Sequence, residues 1–177
     1  MAIMQAALAF TARPLTRSTM LALAAAGASA LLLLGALGFE HLGGLRPCAL
    51  CHWQRWAHVG VVVLGLAAAS QGNRPALQRA LLGLVVAALL GSAALAGWHA
   101  GIEWKLWTGP ESCTGSLPAG LSVDELRRRL LGTAVQRCDE IPWSLLGLSM
   151  AGWNAVLSLL LALGLGFGAL RAGRPAA

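Results

Sequence analysis

The sequence predicts an all-α membrane protein: a bundle of four transmembrane helices with a short interfacial helix in its second extramembrane loop. Composition is the first observation behind that prediction. Of 177 residues, 57% are hydrophobic and 11% charged, against roughly 45–50% and 25% in soluble domains. Mean hydropathy, at +0.68, is the second. The third is the spacing of Lys, Arg, Asp and Glu. Arg17 and Glu40 enclose 22 residues free of them, Arg55 and Arg74 18, Arg79 and Glu103 23, and Glu140 and Arg171 30. About 20 apolar residues in a helix cross a hydrocarbon core roughly 30 Å thick.

These gaps place spans at about 19–39, 56–72, 80–99 and 145–169 in one membrane domain, 1–177, with loops at about 40–55 and 100–144. The runs are continuously apolar rather than alternating with period two, which favours helices over barrel strands. The first span contains Ala28-Ser29-Ala30, the small-residue pattern of a leader cleavage site. Its apolar run exceeds the roughly 7–15 residues of a leader, so a retained helix is expected. In the second loop, Ser122-x-x-Glu125 reads as a capping box, and Val123, Leu126, Leu130 and Ala134 recur at helical spacing opposite Arg127 and Arg128. That pattern predicts an amphipathic helix on the membrane surface, an anchor or a tether for the cysteine beyond it. Gly97-x-x-x-Gly101 and Gly164-x-x-x-Gly168 read as close-packing signals between helices.

Several function classes drop out. The net charge is +6, but 12 of the 13 basic residues are arginines scattered between apolar blocks. No basic stripe with interleaved aromatics forms, so nucleic acid is not an expected partner. Gly164-x-Gly166-x-Gly168 lies within an apolar span with no strand before it, so it is no phosphate loop. No Ser/His/Asp set or paired carboxylates suited to hydrolysis stand out.

An even number of spans puts both termini and the 73–79 loop on one side. That side holds Arg13, Arg17, Arg74, Arg79, Arg171 and Arg174 and no acid. The other side holds seven basic residues and all seven acids, so a bare count does not orient the chain. Arginine density in short tails and a very short loop places the first side in the cytoplasm. Trp53, Trp56, Trp98, Trp104, Trp107 and Trp143 lie at or near the opposite side. They read as an interfacial belt, or as a face lining something flat.

All four cysteines fall on that opposite side. Cys48 and Cys51 form a Cys-x-x-Cys in the first loop, and Cys113 and Cys138 lie in the second. A periplasmic side permits disulfides. The first pair admits four readings: a redox dithiol, a structural disulfide, half of a zinc site, or a haem attachment site through Cys48-Ala49-Leu50-Cys51-His52. Zinc sites usually repeat a short-spaced pair, which Cys113 and Cys138 do not, so no metal is expected. A bond between Cys113 and Cys138 would be worth roughly 3.5 kcal/mol in the chain-entropy model, which suits a structural role. Around the first pair the residues favour redox chemistry. Pro47 precedes Cys48, and Cys51 lies near a helix N-terminus, where the dipole favours a thiolate. Arg55 follows four residues later, on the same helix face, either as a cation beside the thiol or as a snorkelling side chain.

Pro47-Cys48-Ala49-Leu50-Cys51-His52-Trp53-Gln54-Arg55 resembles the signature of the disulfide bond formation protein B family. The resemblance covers nearly the whole chain, through Cys113 and Cys138 to Trp143-Ser144-Leu145-Leu146-Gly147-Leu148-Ser149-Met150. It implies a thiol oxidoreductase of the bacterial inner membrane that reoxidises a periplasmic DsbA-like thioredoxin-fold oxidase and passes the electrons to quinone, ubiquinone or menaquinone. Under this likeness Cys113 is attacked by the partner, Cys138 exchanges with Cys48, and Cys51 is left as the thiolate facing quinone. Arg55 matches the arginine that holds a quinone oxygen. His99 matches a histidine close to the quinone, with a polar interface residue beside Trp98 as the alternative. A monomer is expected. The rival readings are a membrane c-type haem protein and a bundle with purely structural disulfides.

Overall fold

The computed structural model describes residues 16–114, 122–124 and 137–172. Four long helices form the bundle: α1 (Arg17–His41), α2 (Ala49–Ser70), α3 (Pro75–Glu103) and, after the short α4 (Glu111–Thr114), α5 (Met150–Ala172). A two-residue hairpin, β1 (Ser144–Leu145) and β2 (Leu148–Ser149), precedes α5. Each start has a local cause. Thr16 Oγ1 accepts from Thr19 N at 3.2 Å at the head of α1, and Pro75 occupies the first turn of α3, where no amide donor is needed.

Packing runs α1 on α2, α2 on α3 and α3 on α5, whereas α1 and α5 meet over a shorter stretch. The core is built from small and medium side chains: Ala22, Ala25, Val61, Ala68, Leu82, Val85, Leu89, Ala162 and Leu165. Large apolar residues point outward instead, among them Leu31 at 70% exposed and Phe167 at 63%. An apolar exterior around a small-residue interior is the arrangement that lipid stabilises. Helices α1, α3 and α5 are each long and apolar enough to cross a membrane. Helix α2 has comparable length, but Gln54, Arg55 and His58 near its start lower its hydropathy.

The structure corrects several expected boundaries. The last span does not begin at 145, because Leu146 (φ 53°) and Gly147 (φ 80°) close the hairpin in a left-handed turn. Ser149 then caps α5 by accepting from Gly152 N at 3.0 Å. Counting charge-free residues cannot detect that turn. The first loop is shorter than 40–55: α1 runs to His41 and α2 opens at Ala49, so Cys51 and Arg55 are helical. Of the expected interfacial helix, only Ser122, Val123 and Asp124 are described, all exposed, and the remainder lies outside the described residues.

The glycine pairs meet expectation in part. Nothing lies within 4 Å of a Cβ built on Gly97 or Gly164, and Gly101 accommodates the ring of Trp107 from the following loop. Gly168 does pack closely between helices, since a Cβ there would stand 2.9 Å from Leu21 of α1. A close approach outside the expected pairs is at Gly65, where a Cβ would stand 3.0 Å from the Ala22 carbonyl oxygen and 3.0 Å from Ala26 Cβ. Its neighbours on α1 are alanines, so no Gly-x-x-x-Gly spacing announces the contact.

Candidate active site

Cys48 is the N-cap of α2, and its sulfur accepts from Cys51 N at 3.3 Å. The backbone at Cys48 is extended (φ −80°, ψ 174°), which presents this side chain to the free amides of the first turn. One turn on, the Cys51 sulfur lies 2.9 Å from that of Cys48. Both thiols are free, and Cys48 is buried. The Cys48 thiol is pulled down to about 4, first by the hydrogen bond from the Cys51 thiol. The His99 imidazole adds to this against the cost of burial.

Cys113 and Cys138 form a disulfide with Cα atoms 5.4 Å apart. The pair does not sit off in its own loop. Cys48, Leu50, Ile102, Cys113 and Cys138 form one buried cluster, with Cys51 and Leu95 against it. The Cys48 sulfur, the Cys138 sulfur and a ring nitrogen of His99 all lie within 4.8 Å of one another. With Cys138 bonded to Cys113, this trio includes only two free ligand groups. Outside the cluster, Asp139 accepts from Lys105 at 2.8 Å and from Arg137 at 2.9 Å, which ties the Cys138 segment to the end of α3. Those two cations hold the Asp139 carboxyl well below the usual carboxylate range, Arg137 contributing most.

His99 is 2% exposed and stands 3.6 Å from the Cys48 sulfur. It lies within the bundle rather than at an interface beside Trp98. Glu103, one helical turn on, is equally buried, with Oε1 4.0 Å from His99 Nε2, and it accepts from the Ser149 hydroxyl. Arg55 makes its hydrogen bonds to α1 rather than to Cys51. Its guanidinium pairs with Glu40 and donates to the Ala36 carbonyl at 3.2 Å, both on α1. The sequence did not point to Glu40, Glu103, the buried amide Gln54 or the half-buried Asn154. Glu40 was visible as the acid closing the first span, but nothing in its position announced a partner 15 residues on.

A cavity of about 360 Å³ opens between α1, α2 and α5. Leu32, Ala36, Phe39, Trp143 and Leu157 supply apolar wall, and Cys48, Cys51, Arg55, His99 and Glu103 line its polar end. Phe39 and Trp143 stack obliquely at 4.9 Å between ring centroids. An apolar slot of this size ending in two thiols, a cation and an imidazole admits a flat ring with polar oxygens and an apolar tail.

Comparison with known proteins agrees with this arrangement. The family model described as disulfide bond formation protein DsbB matches residues 17–168. Relatives named disulfide bond formation protein B include one from Methylococcus capsulatus, 39% identical over 73% of this chain and 80% of its own length. Another, from Marinobacter nauticus, is 36% identical over 76% and 82%. A third, from an Azoarcus strain, is 33% identical over 79% and 86%. The haem and purely structural readings of the cysteines are not favoured. With two cysteine pairs meeting at one end of an apolar helical bundle, and these matches over most of its length, the chain belongs to the disulfide bond formation protein B family, membrane oxidoreductases that generate disulfides.

Proposed function

We propose that the chain takes electrons from a periplasmic DsbA-like dithiol oxidase and delivers them to membrane quinone. The observation that carries this reading is the meeting of both cysteine pairs in one buried cluster, of which Cys48 and Cys51 line an apolar cavity. Thiol-disulfide exchange needs sulfurs that approach one another, and a lipid-soluble oxidant needs a slot open to lipid. In the first exchange a partner thiolate attacks the Cys113 sulfur. The Cys113–Cys138 bond breaks, and Cys138 leaves as a thiolate. Cys138 then attacks Cys48 of an oxidised Cys48–Cys51 pair and releases Cys51 as a thiolate, so two electrons have moved inward. The resting charge on Cys48 is compatible with this order. Once Cys48 is bonded to Cys138 it no longer competes for the charge, and Cys51 alone carries it at the cavity.

Quinone, ubiquinone or menaquinone, supplies a two-electron, two-proton acceptor when bound. The cavity residues fit its head group: Arg55 offers donors for a ring oxygen, His99 lines the same polar end, and Leu32, Phe39 and Leu157 offer apolar surface. Glu40 compensates the Arg55 charge at the membrane boundary, which keeps the guanidinium from being a buried unpaired cation. In this reading α2 is the fourth span, and the chain is a single membrane domain and a monomer in the bacterial inner membrane. Both termini lie in the cytoplasm and the cysteines in the periplasm. Helix order and arginine density support that orientation.

The test is anaerobic: purified protein in detergent, a reduced thioredoxin-fold partner and quinone, with quinone absorbance followed over time. Wild type is expected to consume quinone only when partner is present, and Cys51→Ala is expected to consume none. Folded wild-type protein that leaves both ubiquinone and menaquinone untouched would overturn the reading.

A further inference from the structure

One polar chain runs through the bundle interior, unused by the exchange chemistry above. Ser29 on α1, His58 and Gln54 on α2, His99 on α3 and Asn154 on α5 are joined in sequence by hydrogen bonds. The Ser29 hydroxyl is 3.2 Å from His58 Nδ1, and His58 Nε2 is 2.8 Å from Asn154 Oδ1. Asn154 Nδ2 donates to Gln54 Oε1 at 2.7 Å, and Gln54 Nε2 lies 2.9 Å from His99 Nδ1. His99 Nε2 then faces the Cys48 sulfur at 3.6 Å.

Amide chemistry gives this chain a direction. An amide NH₂ only donates and its carbonyl only accepts. Gln54 Nε2 donates to His99 Nδ1, so Nδ1 is the unprotonated nitrogen and the ring proton sits on Nε2. Gln54 cannot turn its carbonyl toward His99 alone, because that sets two NH₂ groups against each other at Asn154. Asn154 in turn is placed with Oδ1 accepting from His58 Nε2–H and from the Ser158 hydroxyl at 3.1 Å, and His58 Nδ1 with the Ser29 hydroxyl. The links are therefore coupled: they run in this direction together or reverse together, and all of them are buried or half-buried, where an unpaired group is costly.

We propose that Gln54, Asn154 and His58 are positioning residues which hold His99 as its Nε2–H tautomer and aim that proton at the Cys48 sulfur. The inference rests on Cys48 being a redox sulfur and deepens that reading. A donor aimed at Cys48 stabilises it as a leaving thiolate whenever Cys113 attacks Cys138 in a Cys48–Cys138 bond. In that step the S–S bond between Cys48 and Cys138 breaks, one between Cys113 and Cys138 forms, and the electron pair goes to Cys48. The reverse tautomer would face the leaving sulfur with a nitrogen lone pair and oppose the step.

The experiment reads the tautomer and the thiol directly, without quinone turnover, so it can fail while the electron-transfer reading stands. In detergent-solubilised full-length protein labelled with ¹⁵N-histidine, His99 is expected to show a protonated Nε2 and a bare Nδ1. His99→Asn identifies its signals. Iodoacetamide labelling of Cys48 against pH, resolved by peptide mass spectrometry with the Cys113–Cys138 bond intact, gives the second readout. The other titratable groups near Cys48 and His99 are Cys51 and Glu103, with the Glu40–Arg55 pair, Arg137 and Glu140 around the same cavity.

Asn154→Asp places a carboxylate where Asn154 donates, which forces the Gln54 amide to turn and His99 to carry its proton on Nδ1. The ¹⁵N pattern should invert. Cys48 labelling at a fixed pH below its midpoint should slow roughly tenfold, a displacement of about one pH unit. Gln54→Leu, which adds no buried charge, should move the profile in the same direction if the aspartate variant does not fold. A wild-type His99 protonated on Nδ1, or a Cys48 profile unmoved in a folded variant of either kind, would overturn the proposal.

Discussion

At the scale of single residues, the site depends on where charge rests. Cys48 takes the negative charge of the reduced pair because it caps a helix, accepts from Cys51 and faces His99. Its pKa is depressed relative to roughly 8.5 in an unfolded chain. The stabilisation is therefore complete above that value and is lost as pH falls through about 4. Iodoacetamide at pH 6 is expected to label Cys48 well ahead of Cys51, and peptide mass spectrometry reads the ratio. Arg55 poses a different question, because its partner is Glu40. Replacing Arg55 with Met strands the Glu40 carboxylate at the membrane boundary, so lost turnover in that variant alone would be ambiguous. The double variant Glu40→Gln with Arg55→Met removes both charges. It is expected to recover the thermal stability of wild type while quinone turnover stays at least about tenfold down, the scale of one lost charge-assisted hydrogen bond.

At the scale of elements, α1 and α2 come into close backbone contact at Gly65. A Cβ there meets backbone oxygen, which cannot rotate away, so Gly65→Leu must push the helices apart. A cost of about 1–3 kcal/mol is expected, read as a lowered midpoint in detergent unfolding. Gly97→Leu meets open space and should be nearly silent in the same measurement. The start of α5 depends on one hydroxyl with two duties. Ser149 caps the helix through Gly152 N and donates to buried Glu103. Ser149→Ala removes both, and about 1–3 kcal/mol of destabilisation is expected, with Ser149→Thr restoring most of it.

At the scale of the whole molecule, the described segment around Cys138 is tied to the end of α3 by the Asp139 clamp as well as by the cluster around Cys138. Asp139 has a depressed folded pKa, so its contribution is full above the ordinary carboxylate value near 3.9 and fades as pH falls below it. Limited proteolysis of the second loop is expected to accelerate at acid pH in wild type, and Asp139→Asn should show the fast pattern already at pH 7. The Cys113–Cys138 bond came from the structure, whereas the sequence alone determined the helical membrane class, the approximate positions of the long helices and the grouping of the cysteines into two loops. Those features follow from composition and short-range spacing, since a bilayer sets a minimum apolar length and Cys-x-x-Cys is a local pattern. It also singled out Arg55 and His99, though not what each touches. Tertiary structure alone decided that Glu40 answers Arg55, that Gly65 and Gly168 but not Gly97 or Gly164 are tight contacts between helices, and that a hairpin delays α5 to Met150. It likewise joined Ser29, His58, Asn154, Gln54 and His99 into one chain. The physical reason is common to all of these: a buried polar group or a close backbone contact is satisfied by whichever helix faces it, and partners separated by up to 100 positions leave no periodic trace in the chain.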